Sequence, residues 1–281
     1  MEESMRLQVL VVTRGQNDHR LVSQMNLQCD AIFGNQCDRH TSEIFCYNGY
    51  PIRYESRAEC GVGFNRNTVW MYADADICLF ADDDVRYWNG YTERVLAEFV
   101  RHPEADVILF NFYSTNPKRQ EYQIPKWTRV HWYNALRYGT YRIAVRTARV
   151  QQVHLAFSLL FGGGARYGSG EDTIFLHDCC KRGLRIYASP LFLGEVSHLT
   201  STWFEGYTPK FFHDKGALLA HLFPRLAKPF GFLLLLRHPE FLSNGLGFQK
   251  AYQYLNEGIQ EYLGRPLKEV SHEKTADLRQ Q

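Results

Sequence analysis

Residues 73–85 read Ala-Asp-Ala-Asp-Ile-Cys-Leu-Phe-Ala-Asp-Asp-Asp-Val, an apolar run over 77–81 that delivers three consecutive carboxylates, Asp82, Asp83 and Asp84. Like charges this close raise one another's pKa and repel, so the triplet points to a cation or a proton held between them. Strand alternation puts Asp82 and Asp84 on one face, able to close on a hard divalent cation that also carries substrate phosphates, with Asp83 on the other. The plainer reading is an acidic strand-to-loop turn, since Asp is common in turns.

Outward from this stretch, strand and helix patterns alternate. Residues 7–13 form a continuous apolar, β-branched run of the kind buried in a parallel sheet, ending in the polar turn Arg14-Gly15-Gln16-Asn17-Asp18, where a nucleotide could sit. A helix over about 20–27 and a short strand at 31–34 follow. Strands at 44–47 and 51–54 are split by an Asn48-Gly49 turn, and 57–73 reads as helix. After the acidic strand come an amphipathic helix (89–102) and a buried strand (106–112). This is the pattern of a parallel α/β sheet. Residues 114–130 are polar, aromatic and proline-bearing, as an acceptor-side or lid segment would be. Then come a strand at 141–145, a helix at 147–157, and Gly162-Gly163-Gly164, read as a mobile loop. A helix starts at Glu171-Asp172, followed by strands at 184–187 and 192–198. Beyond about 205 the chain becomes a Leu- and Phe-rich helical tail interrupted at Pro224, Pro229 and Pro239. The expected organisation is one α/β domain over 1–205 and a C-terminal helical extension over 206–281.

Bulk composition narrows the function classes. The 281 residues carry 32 Lys+Arg against 30 Asp+Glu, with the basic residues scattered, so nucleic-acid binding has no electrostatic support. Seven cysteines, an odd number without a CxxC pair, fit neither a disulfide framework nor a zinc ribbon and suit a reducing, cytoplasmic setting. The charged start of the chain lacks a signal-peptide pattern, and the longest apolar run, 230–236, is far short of the roughly 20 residues that span a bilayer. The 17 Tyr and 19 Phe suit a sugar-stacking cleft or simply a rich core.

Four parts, in order, carry a resemblance: the 7–13 strand, the helix containing Cys60-Gly61-Val62-Gly63-Phe64-Asn65-Arg66-Asn67, the strand ending in Asp82-Asp83-Asp84, and Gly168-Ser169-Gly170-Glu171-Asp172. Over roughly residues 7–203 the chain resembles a family 2 glycosyltransferase of the GT-A fold, a nucleotide-sugar-dependent, inverting enzyme of hexosyl-transfer type. The resemblance implies a mostly parallel α/β sheet flanked by helices. It also implies Asp82 and Asp84 as ligands of Mn²⁺ or Mg²⁺ against the donor's diphosphate, and a UDP-sugar as the first guess for that donor. The developing charge on a nucleoside diphosphate leaving group is what such a Lewis acid neutralises. Thr13 and Arg14 at the first strand end, Asp82 and Asp83, and the Arg66-Asn67 pair would meet the nucleotide-sugar. The family's acidic turn after the second strand is replaced here by Gly34-Asn35-Gln36-Cys37-Asp38, with Asn35 or Asp38 as substitutes, which leaves nucleotide identity open.

The Glu-Asp pair resembles the family's catalytic base, and the role is carried onto Asp172, with Glu171 as the second choice. An inverting transfer needs a carboxylate to take the acceptor hydroxyl's proton as it attacks the anomeric carbon. The competing reading is helix capping, since acidic residues suit a first helical turn. By the same resemblance His198 would complete the metal shell, with a structural His as the alternative. Trp203, with Trp127 or Trp132, could stack on a sugar. The acceptor would be a hydroxyl of a glycan or lipid-linked molecule.

Two rival functions stand beside this one. A haloacid-dehalogenase-like phosphatase also uses Asp-x-Asp after an apolar strand, but it wants Thr or Val where Arg86 stands. A nucleotide-sugar-binding protein with a degenerate site would keep the sheet and need no base. In the tail, residues 211–241 either pack as helices or lay a Leu/Phe face, flanked by Lys210, Lys215, Arg225, Lys228 and Arg237, on an anionic membrane surface.

Overall fold

The first apolar run becomes β1 (Leu7–Arg14), buried at every position but Arg14. It lies inside the sheet, parallel to β2 (Asp30–Gln36) on one side and to β5 (Ile77–Asp82) on the other. Alternate residues serve opposite faces: Val9, Val11, Ile77 and Leu79 enter one core cluster, and Leu10, Val12, Cys78 and Phe80 the other. A strand covered on both faces must be apolar throughout, hence the unbroken runs in the sequence. The computed structural model describes residues 5–117, 122–197, 206–242 and 245–264. Contacts divide the chain into two compact units, Met1–Phe204 and Glu205–Gln281.

The first unit continues with α1 (Arg20–Gln24), β3 (Thr41–Tyr47), β4 (Tyr50–Arg57), α2 (Val62–Met71), β6 (Val85–Tyr87), α3 (Tyr91–Arg101), β7 (Val107–Ser114), β8 (Thr128–Val130), β9 (Ile143–Arg146), α4 (Thr147–Gln152), α5 (Glu171–Lys181) and β10 (Ile186–Val196). The sheet order is β3-β4-β2-β1-β5-β9-β7-β10-β6, with β8 on β10. It is a mixed sheet in which β4, β2, β1 and β5 form the parallel half predicted by strand-helix alternation, and β9 enters antiparallel between β5 and β7. The β3–β4 hairpin turns on Asn48 and Gly49, both at positive φ (51° and 87°), as an Asn-Gly turn requires.

Several boundaries differ from the sequence expectation. Residues 57–61 belong to the end of β4 and a loop, so α2 begins only at Val62. The helix expected over 147–157 stops at Gln152. The strands read at 184–187 and 192–198 are one, β10, which passes Pro190 with register shifts against β7. Two three-residue strands, β6 and β8, had no periodicity to reveal them.

The second unit is helical: α6 (Pro209–Leu222), α7 (Ala227–Arg237) and α8 (Phe248–Tyr262) pack Phe212, Ala220, Leu235, Leu255 and Ile259 among themselves. Thr208 caps α6 by accepting from the Phe211 N–H, with Pro209 at its first position. Gly216 and Gly258 let the backbones of α6 and α8 touch: a Cβ at Gly216 would lie 1.9 Å from the Leu255 carbonyl, and one at Gly258 1.9 Å from that of His213. Among the described residues no helix is long and apolar enough to cross a membrane.

Candidate functional site

Parallel strands end together, so the carboxyl ends of β1, β2 and β5 bring Thr13, Asn35 and Asp82 to one edge. Thr13 is in register with Asn35, and Val12 with Asp82. α2 crosses over this edge and is fixed there by Asn65, whose Nδ2 donates to the Gly34 carbonyl (2.8 Å) and the Thr13 carbonyl (3.2 Å). A Cβ on Gly34 would stand 2.1 Å from Asn65 Oδ1, so glycine is what lets helix and strand meet. At Gly63, two residues before Asn65, a Cβ would lie 2.0 Å from the Ser158 carbonyl.

The next residue, Arg66, is the centre of the arrangement. Its guanidinium is buried, with Nη2 donating to Asp82 Oδ1 (2.7 Å) and Nη1 to Glu171 Oε1. Burial alone pulls its pKa down, but Asp82 and Glu171 outweigh that and raise it, and Asp172 adds to the same field. The cation is therefore permanent. The family resemblance implied a nucleotide contact for Arg66; its bridge between two carboxylates from distant elements is visible only in the fold.

The acidic triplet is not a continuous strand. β5 ends at Asp82, and Asp83-Asp84 form the turn into β6, so the alternation argument that paired Asp82 with Asp84 and turned Asp83 away does not apply. Asp83 instead belongs to the site: its Oδ2 accepts from Thr13 Oγ1 at 2.6 Å. Its pKa is raised, first by desolvation of the carboxyl and also by neighbouring Asp82, while the Thr13 bond pulls the other way. Gln16 Nε2 donates to the same Thr13 hydroxyl (3.1 Å).

Two of the expected nucleotide contacts hold the scaffold together. Asn35 is fully buried; its Oδ1 accepts from the Gln16 N–H (3.0 Å), and its Nδ2 donates to the Gln16 carbonyl (2.9 Å) and Ser56 Oγ (3.2 Å). It fixes the loop after β1. Asn67 makes a reciprocal pair with the backbone of Phe157 (2.9 and 2.8 Å). Arg14 is exposed at the end of β1. Asp38 has a side chain 94% exposed, 3.8 Å from Arg39. Arg39, which sequence reading passed over, donates to the Gln16 carbonyl (3.0 Å) and braces the same loop.

Glu171 and Asp172 open α5 behind Gly170, which sits at φ 117° and provides no side-chain cap. Glu171 is buried on Arg66, whereas Asp172 is partly exposed. Asp172 Oδ1 accepts from the Thr173 N–H at 2.6 Å, so the capping reading holds for that oxygen. The preceding glycines are docked, not loose: the Val62 N–H donates to the Gly163 carbonyl (2.8 Å), and the Gly162 N–H to the Tyr167 carbonyl (2.8 Å). A Cβ at Gly162 would lie 2.6 Å from Val62 Cγ1 and 2.8 Å from Glu171 Oε2. Close approach to α2 and Glu171 is thus the reason for glycine there, which corrects the expectation of mobility.

His198 and Trp203 lie outside the described residues. Trp127 is sandwiched between His102 (3.7 Å between centroids) and Tyr187 (5.0 Å), which makes it packing instead of a sugar platform; Trp132 remains 48% exposed. Among the described residues no three His, Cys, Asp or Glu side chains converge as a metal set. Two carboxylates completed by diphosphate oxygens are nonetheless the composition that Mg²⁺ uses in phosphate sites. Asp82, its side chain 34% exposed even while bonded to Arg66, and Asp84 in the adjoining turn fit that composition. All seven cysteines are unbridged.

Residues 32–159 match the model of glycosyl transferase family 2, which spans α2, β5 and the acidic triplet. A sequence comparison with curated proteins returned no match. Among solved structures the chain is similar to S. aureus TarS 1–349, at TM-score 0.58 and 15% identity over 92% of this chain and 81% of that one. TarS 1–349 in complex with UDP-GlcNAc matches at TM-score 0.56 and 17% identity, covering 91% and 81%. The same protein in complex with UDP matches at TM-score 0.59 and 15% identity, covering 92% and 81%. At such identities the likeness establishes the fold, which is that of GT-A glycosyltransferases.

Proposed function

From a chain that carries a glycosyl transferase family 2 region over residues 32–159 on a GT-A fold, we propose an inverting glycosyltransferase that uses a UDP-sugar donor. The observation that carries the reading is the convergence of Asp82, Arg66 and Glu171 through one buried guanidinium, with Asp172 beside it. Three elements far apart in sequence meet at the strand ends where α/β sheets bind ligands. That TarS was solved with UDP-GlcNAc and with UDP favours uridine as the base.

In this reading the donor's diphosphate lies over the ends of β1 and β5, beside Thr13, Asp82 and Arg66. A Mn²⁺ or Mg²⁺ held by Asp82 and Asp84 would act there as a Lewis acid on the leaving diphosphate. Arg66 is a fixed cation that holds Asp82 and Glu171 apart from each other's charge and in position. Asp83 orients the Thr13 hydroxyl, and Asn35 and Arg39 shape the loop that faces the base. Asp172 is the general base: it takes the proton of an acceptor hydroxyl, on a glycan or a lipid-linked molecule, as that oxygen attacks the anomeric carbon. Glu171, committed to Arg66, is a positioning residue.

The experiment is a thermal-shift panel of UDP-, GDP- and dTDP-sugars, each with Mn²⁺ and with a chelator. UDP-sugars at a hundredfold excess over Kd should stabilise the chain by about 2.7 kcal/mol, and the chelator should reduce the shift. Stabilisation by a different nucleotide would move the donor assignment. No shift from any of them would remove the proposal.

A further inference from the structure

We propose that the exposed face of α7 seats the chain on an anionic lipid surface. The inference is independent of the donor site. α7 buries Ala227, Gly231 and Leu235 against α6 and α8, yet leaves Phe232 (43%), Leu233 (48%) and Leu236 (56%) exposed, together with Leu226 (51%) just before it. At about 3.6 residues per turn, Pro229, Phe232, Leu233 and Leu236 fall on one stripe, spaced i, i+3, i+4 and i+7. Lys228 and Arg237 flank this stripe on its two sides, and Arg225 precedes it; all three are exposed.

Charge identifies the occupant. Between Asp214 and Glu240 the chain has no acidic residue, but it has Lys215, Arg225, Lys228 and Arg237. Among the described residues no carboxylate pairs with Arg225, Lys228 or Arg237. A second copy of this helix, laid on the stripe, would bring like charges together without compensation. A surface of anionic headgroups over acyl chains complements both the apolar stripe and its basic edges, which is how interfacial helices bind. The structure also trims the wider basic set expected from sequence. Lys210 is paired with Asp214 (2.5 Å) and Lys215 lies over the Phe211 ring, so the surface is that of α7 alone.

The test is vesicle co-sedimentation of the full chain on phosphatidylglycerol/phosphatidylcholine and on pure phosphatidylcholine. Each basic residue near an anionic surface contributes roughly a fivefold gain in partitioning. Binding to the anionic vesicles should therefore exceed that to neutral ones at least tenfold, and Lys228→Glu with Arg237→Glu should abolish the difference. Leu233→Ser with Leu236→Ser removes only exposed apolar groups, so folding is preserved, as circular dichroism would check, and partitioning should fall about tenfold. Equal binding of wild type and both variants, or no binding to anionic vesicles, would overturn the proposal. So would a wild-type oligomer, seen by sedimentation, that the Leu variants dissociate, since the stripe would then be a self-association face.

Discussion

Arg66→Leu should lower stability by about 3–5 kcal/mol, because it leaves Asp82 and the buried Glu171 without their shared cation. In a domain of this size that corresponds to a melting temperature lower by roughly 10 °C, measurable by calorimetry. Donor binding should be lost with it, since the strand-end carboxylates would repel a diphosphate. Arg66→Lys should fall in between: a single ammonium cannot reproduce a fork that reaches two carboxylates at once. Adding Glu171→Gln to Arg66→Leu should recover part of the loss, a coupling expected only if the two residues act as one unit. A wild-type melting temperature for Arg66→Leu would mean that the bridge contributes nothing.

Asp172→Asn should leave both fold and donor affinity intact and reduce turnover by roughly 10²- to 10⁴-fold, the usual contribution of a general base. The amide oxygen can still accept from the Thr173 N–H, so the start of α5 is preserved. Glu171→Gln should show the opposite balance, with a larger effect on stability than on the chemical step. Measuring kcat, donor Kd and melting temperature for both variants separates the roles. If Glu171→Gln abolished turnover at unchanged stability while Asp172→Asn remained active, the assignment of base and positioning residue would be reversed. Retained donor binding without turnover in the wild-type chain, across acceptor classes, would favour a binding protein.

What was legible in the sequence is what local patterning encodes. The buried runs of β1 and β5 could be read because strands covered on both faces are apolar at every position. The Asn48-Gly49 hairpin could be read because few residues adopt that turn. The start of α5 showed as Gly-Glu-Asp. Arg66, Asp82 and Asp172 were singled out by the resemblance of their motifs, taken in order, to those of a known family, and the fold brings the first two, 16 residues apart, into contact. What escaped depends on partners distant in sequence. β6 and β8 exist only because β10 offers its edges, and β10 itself passes a proline through register shifts. Asn35 and Asn67 look like recognition residues in sequence, but both satisfy backbone groups that the fold buries, a role that no local signal marks. Asn65 was passed over beside the charged Arg66, although the glycine at position 34 is explained by its side chain. The alternation argument carried the strand two residues too far, through Asp84, and so turned Asp83 to the opposite face from Asp82, whereas it lies in a turn and accepts from Thr13.

The most direct measurement is a crystal structure of the chain soaked with UDP. The account predicts difference density for the diphosphate at the carboxyl ends of β1 and β5, within hydrogen-bonding or ion-pairing reach of the Thr13, Asp82 and Arg66 cluster, with the base against the loop held by Asn35 and Arg39. UDP bound elsewhere on the chain, with Arg66 still bridging Asp82 and Glu171 over an empty strand edge, would contradict it.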